Sequence, residues 1–388
     1  MEIICNQNEL NNAIQLVSKA VASRPTHPIL ANILLTADEG TNKISVTGFD
    51  LNLGIQTSFD GTVKNSGAIT IPSKLLSEIV NKLPNETPVS LEVDENSDNI
   101  LIKSDRGSFN LKGIPSDEYP NLPFVESGTS LNIDPSSFLK ALKSTIFASS
   151  NDDSKQLLTG VNFTFKPNYL ESASTDGHRL AVALIGNEEN IENKENKENL
   201  SSNVDDLSVT IPTRSLREIE KLVSLRSSEN SIKLFYDKGQ VVFISSNQII
   251  TTRTLEGTYP NYSQLIPDSF SKILNFNTKK LIDALERIAV LADQQSSVVK
   301  IKLDDTDLAS ISADAQDIGN ANESIPVSYS GENFDIAFNV RYLLEGLKVI
   351  ASENVLLKCN IATTPAVFVP EDNLNSFTYL VMPVQVRS

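Results

Sequence analysis

Two cysteines, Cys5 and Cys359, and two histidines, His27 and His178, are all that this chain offers of the usual soft metal ligands. A tetrahedral zinc site is built from such residues, so no metal centre is expected. Two thiols at opposite ends of a long chain form no disulfide framework, and buried free thiols are the expectation. No run of about 18 apolar residues occurs, so no membrane-spanning helix is expected. The opening residues MEIICNQNELNNA carry no basic segment followed by an apolar stretch. No secretory signal is expected, and a cytoplasmic location follows. No P-loop, dinucleotide fingerprint or nucleophile motif is present, so no cofactor is expected. Positive charge is scarce too. Lys and Arg number 33 against 49 Asp and Glu, a net charge of −16. Taken alone, that argues against a polyanionic partner.

What is present is enough hydrophobic material for real cores. The 388 residues are 40% hydrophobic, which suits two or three domains of about 100–200 residues each.

The chain repeats itself. The stretches 71-IPSKLLSEIVNKL-83 and 211-IPTRSLREIEKLV-223 share Ile-Pro, a hydroxyl residue, a base and, four residues on, an acid. Each reads as a strand end running into a helix, with Ser73 or Thr213 placed to cap it. A third copy is 338-FNVRYLLEGLKVI-350, with Asn339 in place of the proline. A second helix type recurs upstream of each copy, at 8-NELNNAIQLVSKAVAS-23, 134-DPSSFLKALKSTIFAS-149 and 277-NTKKLIDALERIAVLA-292. Phe138, Leu139, Leu142 and Ile146 show its helical spacing. Between the helices lie alternating stretches such as Leu91, Val93, Ile100 and Ile102 around a polar turn, and Ile232, Leu234 and Tyr236 before Asp237-Lys238-Gly239. Each third therefore predicts two helices plus several short antiparallel strands, an α+β class. Domain boundaries fall near 127 and 268, giving 1–127, 128–268 and 269–388. The stretch 187–203 is polar and of low complexity and predicts a solvated insertion in the middle repeat.

The charge is not spread evenly. Across the expected helices 8–24, 74–83, 135–150, 213–226, 278–291 and 340–352 there are 15 Lys and Arg against 7 Asp and Glu, leaving −24 on the rest. Helix propensity does not account for this, because Glu is as good a helix former as Lys. The pattern predicts helices that meet a polyanion through charge alone, without reading its sequence.

The stretch 173-ASTDGHRLAV-182 suggests chemistry, since Asp176 and His178 could act as a base and its orienter. A non-catalytic repeat scaffold that binds only proteins is a further reading. Against the enzyme stands the absence of any second acid or nucleophile pattern nearby.

Together, 24-RPTHPILANILL-35, 71-IPSKLLSEI-79, 174-STDGHRLAV-182, 253-RTLEGTYPNYSQLIP-267 and 379-YLVMPVQVRS-388 resemble the bacterial DNA sliding clamps, the beta subunits of DNA polymerase III. The resemblance runs end to end, with the motifs in family order. It implies three repeated clamp domains, each with helices inside and sheets outside, and a head-to-tail homodimer closed as a ring around duplex DNA. It implies a non-catalytic processivity factor, loaded by a clamp loader, that tethers the replicative polymerase, translesion polymerases and repair proteins through short motifs. The nucleoid would be its place of work.

By motif match, the family's peptide cleft would use Leu158, Thr175, His178, Arg179, Leu180, Pro260, Leu265, Thr363, Leu380, Val381, Met382, Pro383 and Val384. The ring interface would pair the strand of Phe109 and Leu111 with the helix of Val290 and Leu291. Arg24 is the DNA contact matched by motif, and Lys74, Arg214, Arg217, Lys279, Lys280 and Arg341 are candidates through their place on the repeated helices. Gln385 stands where the family tail commonly has a base, and Arg387-Ser388 extend past the usual end.

Overall fold

The computed structural model describes all residues except 23, 95–96, 106, 126–127, 167–168, 187–206, 226–231, 293–295, 304–306, 316–317, 331 and 386–388. The expected insertion at 187–203 and the Arg387-Ser388 extension lie outside the described residues.

Strand runs into helix six times over, five times directly and once with Asp134 between. Glu2–Asn6 leads into α1 (Gln7–Val17), and Gly67–Pro72 into α2 (Ser73–Val80). Thr129–Ile133 precedes α3 (Pro135–Thr145), and Leu207–Pro212 leads into α4 (Thr213–Leu225). Lys272–Asn277 leads into α5 (Thr278–Ala292), and Asp335–Asn339 into α6 (Val340–Leu347). The three-fold repetition in the sequence is thus a three-fold repetition of strand, helix and hairpin.

The helix starts come out within a residue or two of expectation, but their capping differs. Ser73 does not cap α2; its Oγ lies 3.0 Å from Ser18 Oγ, beside the end of α1. Thr213 Oγ1 is buried and bonds no partner. Of the three repeated starts, Asn339 is the one that caps as its side chain allows, accepting from Arg341 N at 2.9 Å and Tyr342 N at 3.4 Å. Most expected helix ends overshoot: α1 stops at Val17, because Ser18 Oγ donates to Ile14 O at 2.6 Å and the chain tightens into a 3-10 turn over Ser18–Ala20. A hydroxyl bonding back four residues bends the helix in this way.

All strands pair antiparallel, in four sheets. The hairpin at Asp237-Lys238-Gly239 closes as the sequence predicts, with φ of 45° at Lys238 and 79° at Gly239. Such a primed turn matches the twist of its strands.

Close packing divides the chain into two compact units. One is Met1–Pro135 with Lys221–Thr254; the other is Ser136–Glu220 with Leu255–Ser388. These units follow the sheets and cut across the repeats. In the first unit, Leu53–Asp60 of the first repeat pairs with Gln248–Arg253 of the second, Ile250 opposite Ile55, which joins a five-stranded and a four-stranded part into a nine-stranded sheet. In the second unit, Arg179–Gly186 of the second repeat pairs with Phe377–Val381 of the third, Leu180 opposite Leu380. The fourth strand of one repeat meets the last strand of the next in both places.

Alternation along Arg179–Gly186 and Phe377–Val381 sends neighbours to opposite faces. Ala181, Ala183, Tyr379 and Val381 enter a large core with Phe276, Phe338 and Phe368 under α5 and α6. Leu180, Val182 and Leu380 enter a smaller cluster on the other face with Ala173, Val367 and Val369. That smaller cluster lies under the candidate site.

Candidate peptide cleft and charged helix faces

The DGHR turn is the centre of the site. Gly177 takes a φ of +93°, a conformation glycine adopts freely. Asp176 Oδ1 accepts from His178 N at 2.9 Å and from Arg179 N at 3.1 Å. Its Oδ2 accepts from Arg179 Nε at 3.1 Å. The carboxylate therefore meets the backbone of His178, not its ring. It builds the turn, and the acid–base reading of Asp176 and His178 has no geometry behind it. Thr175 Oγ1 donates to Arg179 O at 2.6 Å and accepts from Gly177 N at 3.1 Å, which completes the loop.

The cleft candidates divide by exposure. His178, Pro260, Leu265, Thr363 and Met382 are exposed, while Leu158, Pro383 and Val384 are half-buried. Leu265 and Met382 are large apolar side chains held in water at 52% and 38% exposure. Leu180 and Leu380 are buried in the smaller cluster, against which the partly buried Tyr262, Ile266 and Phe270 pack. Met382 N donates to His178 O at 2.9 Å, so the C-terminal segment continues alongside the turn. Two hydroxyls pin the loop of Pro260 and Leu265 to the strand Tyr169–Thr175. Tyr259 Oη accepts from Thr175 N at 3.1 Å, and Tyr262 donates to Glu171. Burial first, then the Glu171 carboxylate, drives the Tyr262 phenol well above its usual range, so it stays a donor.

Three more expected lining residues are buried. Val381 faces the opposite core, because it follows Leu380 by one residue on a strand. Thr175 and Arg179 are buried at 7% each and spend their polar groups inside the protein. Sequence reasoning missed Tyr342, whose ring stacks on His178 with centroids 6.5 Å apart and planes at 21°. Nothing near His178 in the sequence signals a partner that far along the chain.

The basic candidates Arg24, Lys74, Arg214, Arg217, Lys279, Lys280 and Arg341 are all exposed. Arg24 lies in the loop after the 3-10 turn, not on a helix. Lys74, Arg214, Lys279 and Arg341 each occupy the second residue of α2, α4, α5 and α6, and none of these helices has an acid in its first turn. A base there opposes the helix dipole, whose positive end favours acids by about 0.3–1 kcal/mol. The helix dipole therefore does not explain the placement. Glu345, four residues after Arg341, pairs with Arg179.

At the expected interface, Phe109 is 37% exposed on the edge strand Gly107–Lys112, but Leu111 is buried at 7%. Leu111 sits opposite Ile100 and faces inward. Val290 is 70% exposed on α5, and Leu291 is half-buried. Among the described residues no group of His, Cys, Asp and Glu could hold a metal ion, and no helix is long and apolar enough to cross a membrane.

A repeated strand–helix scaffold, exposed apolar side chains at Leu265 and Met382 and exposed bases at helix starts are features of a binding protein. Comparison with known proteins sharpens this. Three family models match in order: the DNA polymerase III beta subunit N-terminal domain at residues 1–123, its central domain at 132–261 and its C-terminal domain at 263–385. The chain is 45% identical to the beta sliding clamp of Synechococcus elongatus and 41% identical to that of Synechocystis, over 100% of both chains in each case. The crystal structure of the DNA polymerase sliding clamp from Bacillus subtilis superposes with a TM-score of 0.89 at 29% identity, over 100% of each chain. The chain belongs to the DNA polymerase III beta subunit family, the beta sliding clamps. It is a processivity factor without catalytic activity of its own, of the class that encircles duplex DNA as a homodimeric ring and serves the replicative polymerase.

Proposed function

We propose that this chain closes its ring by using, between copies, the same junction it uses twice within itself. The single observation that carries this is the strand bookkeeping. Fourth strand pairs with last strand between repeats one and two, and again between repeats two and three. One fourth strand, Gly319–Pro326, and one last long strand, Gly107–Lys112, which only the two-residue strand Ile114–Pro115 follows in its repeat, remain as sheet edges. Unpaired edges of this kind are templates for another chain. Head-to-tail pairing of two copies would satisfy both edges twice and close the assembly. Phe109 would then sit at the junction and Leu111 would support it from within. Val290 and Leu291 on α5 would lie beside it, since Arg287 of α5 already bonds Glu323 of the strand Gly319–Pro326 at 2.9 Å.

Repeat domains of 1–127, 128–268 and 269–388 fit this reading, with the family model of the C-terminal domain beginning earlier, at residue 263. Arg24 and the exposed bases of the helices would contact phosphates loosely, since a closed ring needs no tight grip to stay on. Polymerases and repair proteins would dock a short motif over Leu180 and Leu380, between Leu158, Pro260, Leu265, Thr363, His178, Met382, Pro383 and Val384. Gln385, exposed at the end of the described tail, would stand on the rim. Tethering of this kind raises the local concentration of the polymerase at the primer end. A clamp loader would open the ring, and the nucleoid would be the site of action. Sedimentation of the full chain should give twice the mass of one copy. A single-copy mass at working concentration would contradict the ring.

A further inference from the structure

The side chain of Arg179 is only 8% exposed, yet it ends in a cation. Such a group is retained in a fold only where its charge and donors are met. Here they are met from three separate elements. Nε donates to Asp176 Oδ2 at 3.1 Å in the DGHR turn. Nη1 donates to Glu345 on α6, 166 residues away in sequence. Nη2 donates to Phe147 O at 2.7 Å in the 3-10 turn Ile146–Ala148. The guanidinium also packs on two rings, 4.5 Å from the centroid of Tyr342 and 5.5 Å from that of Phe147. Tyr342 in turn stacks on the exposed imidazole of His178. Tyr379 Oη donates to Tyr342 O at 2.7 Å, so the backbone under that ring is fixed too.

We propose that Arg179 is a positioning residue of the peptide cleft: it does not touch the docked peptide, and its guanidinium sets the Tyr342–His178 stack that forms one wall. The proposal rests on the cleft reading above. The geometry requires arginine specifically. A planar fork can bond Asp176, Glu345 and a carbonyl while lying flat on Tyr342, whereas an ammonium is a point charge without a face. An arginine that met the peptide itself would need an exposed guanidinium, and this side chain is only 8% exposed.

The test uses the full-length dimer and a fluorescent peptide carrying the clamp-binding motif of a bacterial replicative polymerase subunit. The chain has only two histidines, so with 13C-labelled histidine the His178 resonance is assigned by a His27→Gln variant. Arg179→Lys should move the His178 resonance and weaken the peptide roughly tenfold, about what one charged hydrogen bond supports. Glu345→Ala provides a second route should Arg179→Lys not fold, because Glu345 is half exposed and its loss frees only one arm of the fork. It should shift the same resonance and weaken the peptide in the same direction. Weaker binding with the His178 resonance unmoved would mean that Arg179 meets the peptide directly, which overturns the proposal. A shifted resonance with unchanged affinity overturns it equally, leaving Arg179 a fold element only. Wild type that binds no peptide would remove the cleft reading itself, and that outcome is visible before any variant is made.

Discussion

Tyr379 fills the space that a side chain at Gly346 would need. A Cβ built on Gly346 would stand 2.0 Å from the ring's Cε1. The glycine lies inside α6, where it costs roughly 0.5–1 kcal/mol against alanine on conformational grounds. The helix keeps it because the fully buried Tyr379 ring must pass beneath. The same tyrosine donates to Tyr342 O, so this close approach sets the height of α6 over the strand that carries Leu380 and Val381.

Gly346→Ala should therefore destabilise the protein despite its better helix propensity. Overpacking of this kind costs about 1–3 kcal/mol. Chemical denaturation monitored by circular dichroism should show a lower midpoint with an unchanged slope. A stabilised variant would mean that Tyr379 has room to move.

Met382→Glu and Leu265→Glu should abolish binding of a clamp-motif peptide without lowering stability, because both side chains are exposed in the free protein. Leu180→Glu is a different experiment. Leu180 is 1% exposed, so a charge there tests the packing beneath the cleft and should lower the melting temperature. Fluorescence anisotropy and thermal unfolding together separate the two cases.

Val290→Asp should shift the mass in solution from two copies toward one. Val290 is 70% exposed, so the substitution leaves the single chain's core intact. Circular dichroism should be unchanged. A dimer that persists would place the interface away from α5.

The thiols predict a pH dependence. Burial pushes Cys359 up to about 11 and Cys5 up to about 12, with Glu9 adding to the effect at Cys5. In the unfolded chain a thiol ionises near the ordinary 9.0. The native state therefore holds its protons where the unfolded state has lost them. The stability this linkage contributes is fully present below pH 9 and is lost as pH rises toward 11. Cys359→Ala should flatten that decline in melting temperature. At pH 8 the native Cys359 should react with a thiol reagent about a hundredfold more slowly than in denaturant.

Much of this was legible in the sequence because the signals were local. Ile-Pro followed by a hydroxyl marked the starts of α2 and α4, Asn339 in place of the proline marked that of α6, and Asp-Lys-Gly marked a hairpin. Helix ends were less legible, because a hydroxyl such as Ser18 can extend a helix or bend it, and the choice lies in three dimensions. The cleft was legible as a set of residues but not as a surface. Leu380 and Val381 are equally apolar neighbours, and only strand pairing sends them to opposite faces. Arg179 reads as a binding residue in sequence because its partners Glu345 and Tyr342 lie more than 160 residues away. The free strand edges were invisible for the same reason: an edge is defined by what does not pair.

The central claim is topological, and a plasmid tests it. Clamp loaded on nicked circular duplex should elute with the DNA at moderate salt and be lost when the same plasmid is cut once to a linear form. Retention on both forms, falling steeply with salt as ordinary phosphate contacts do, would contradict a closed ring and leave a protein that merely binds DNA.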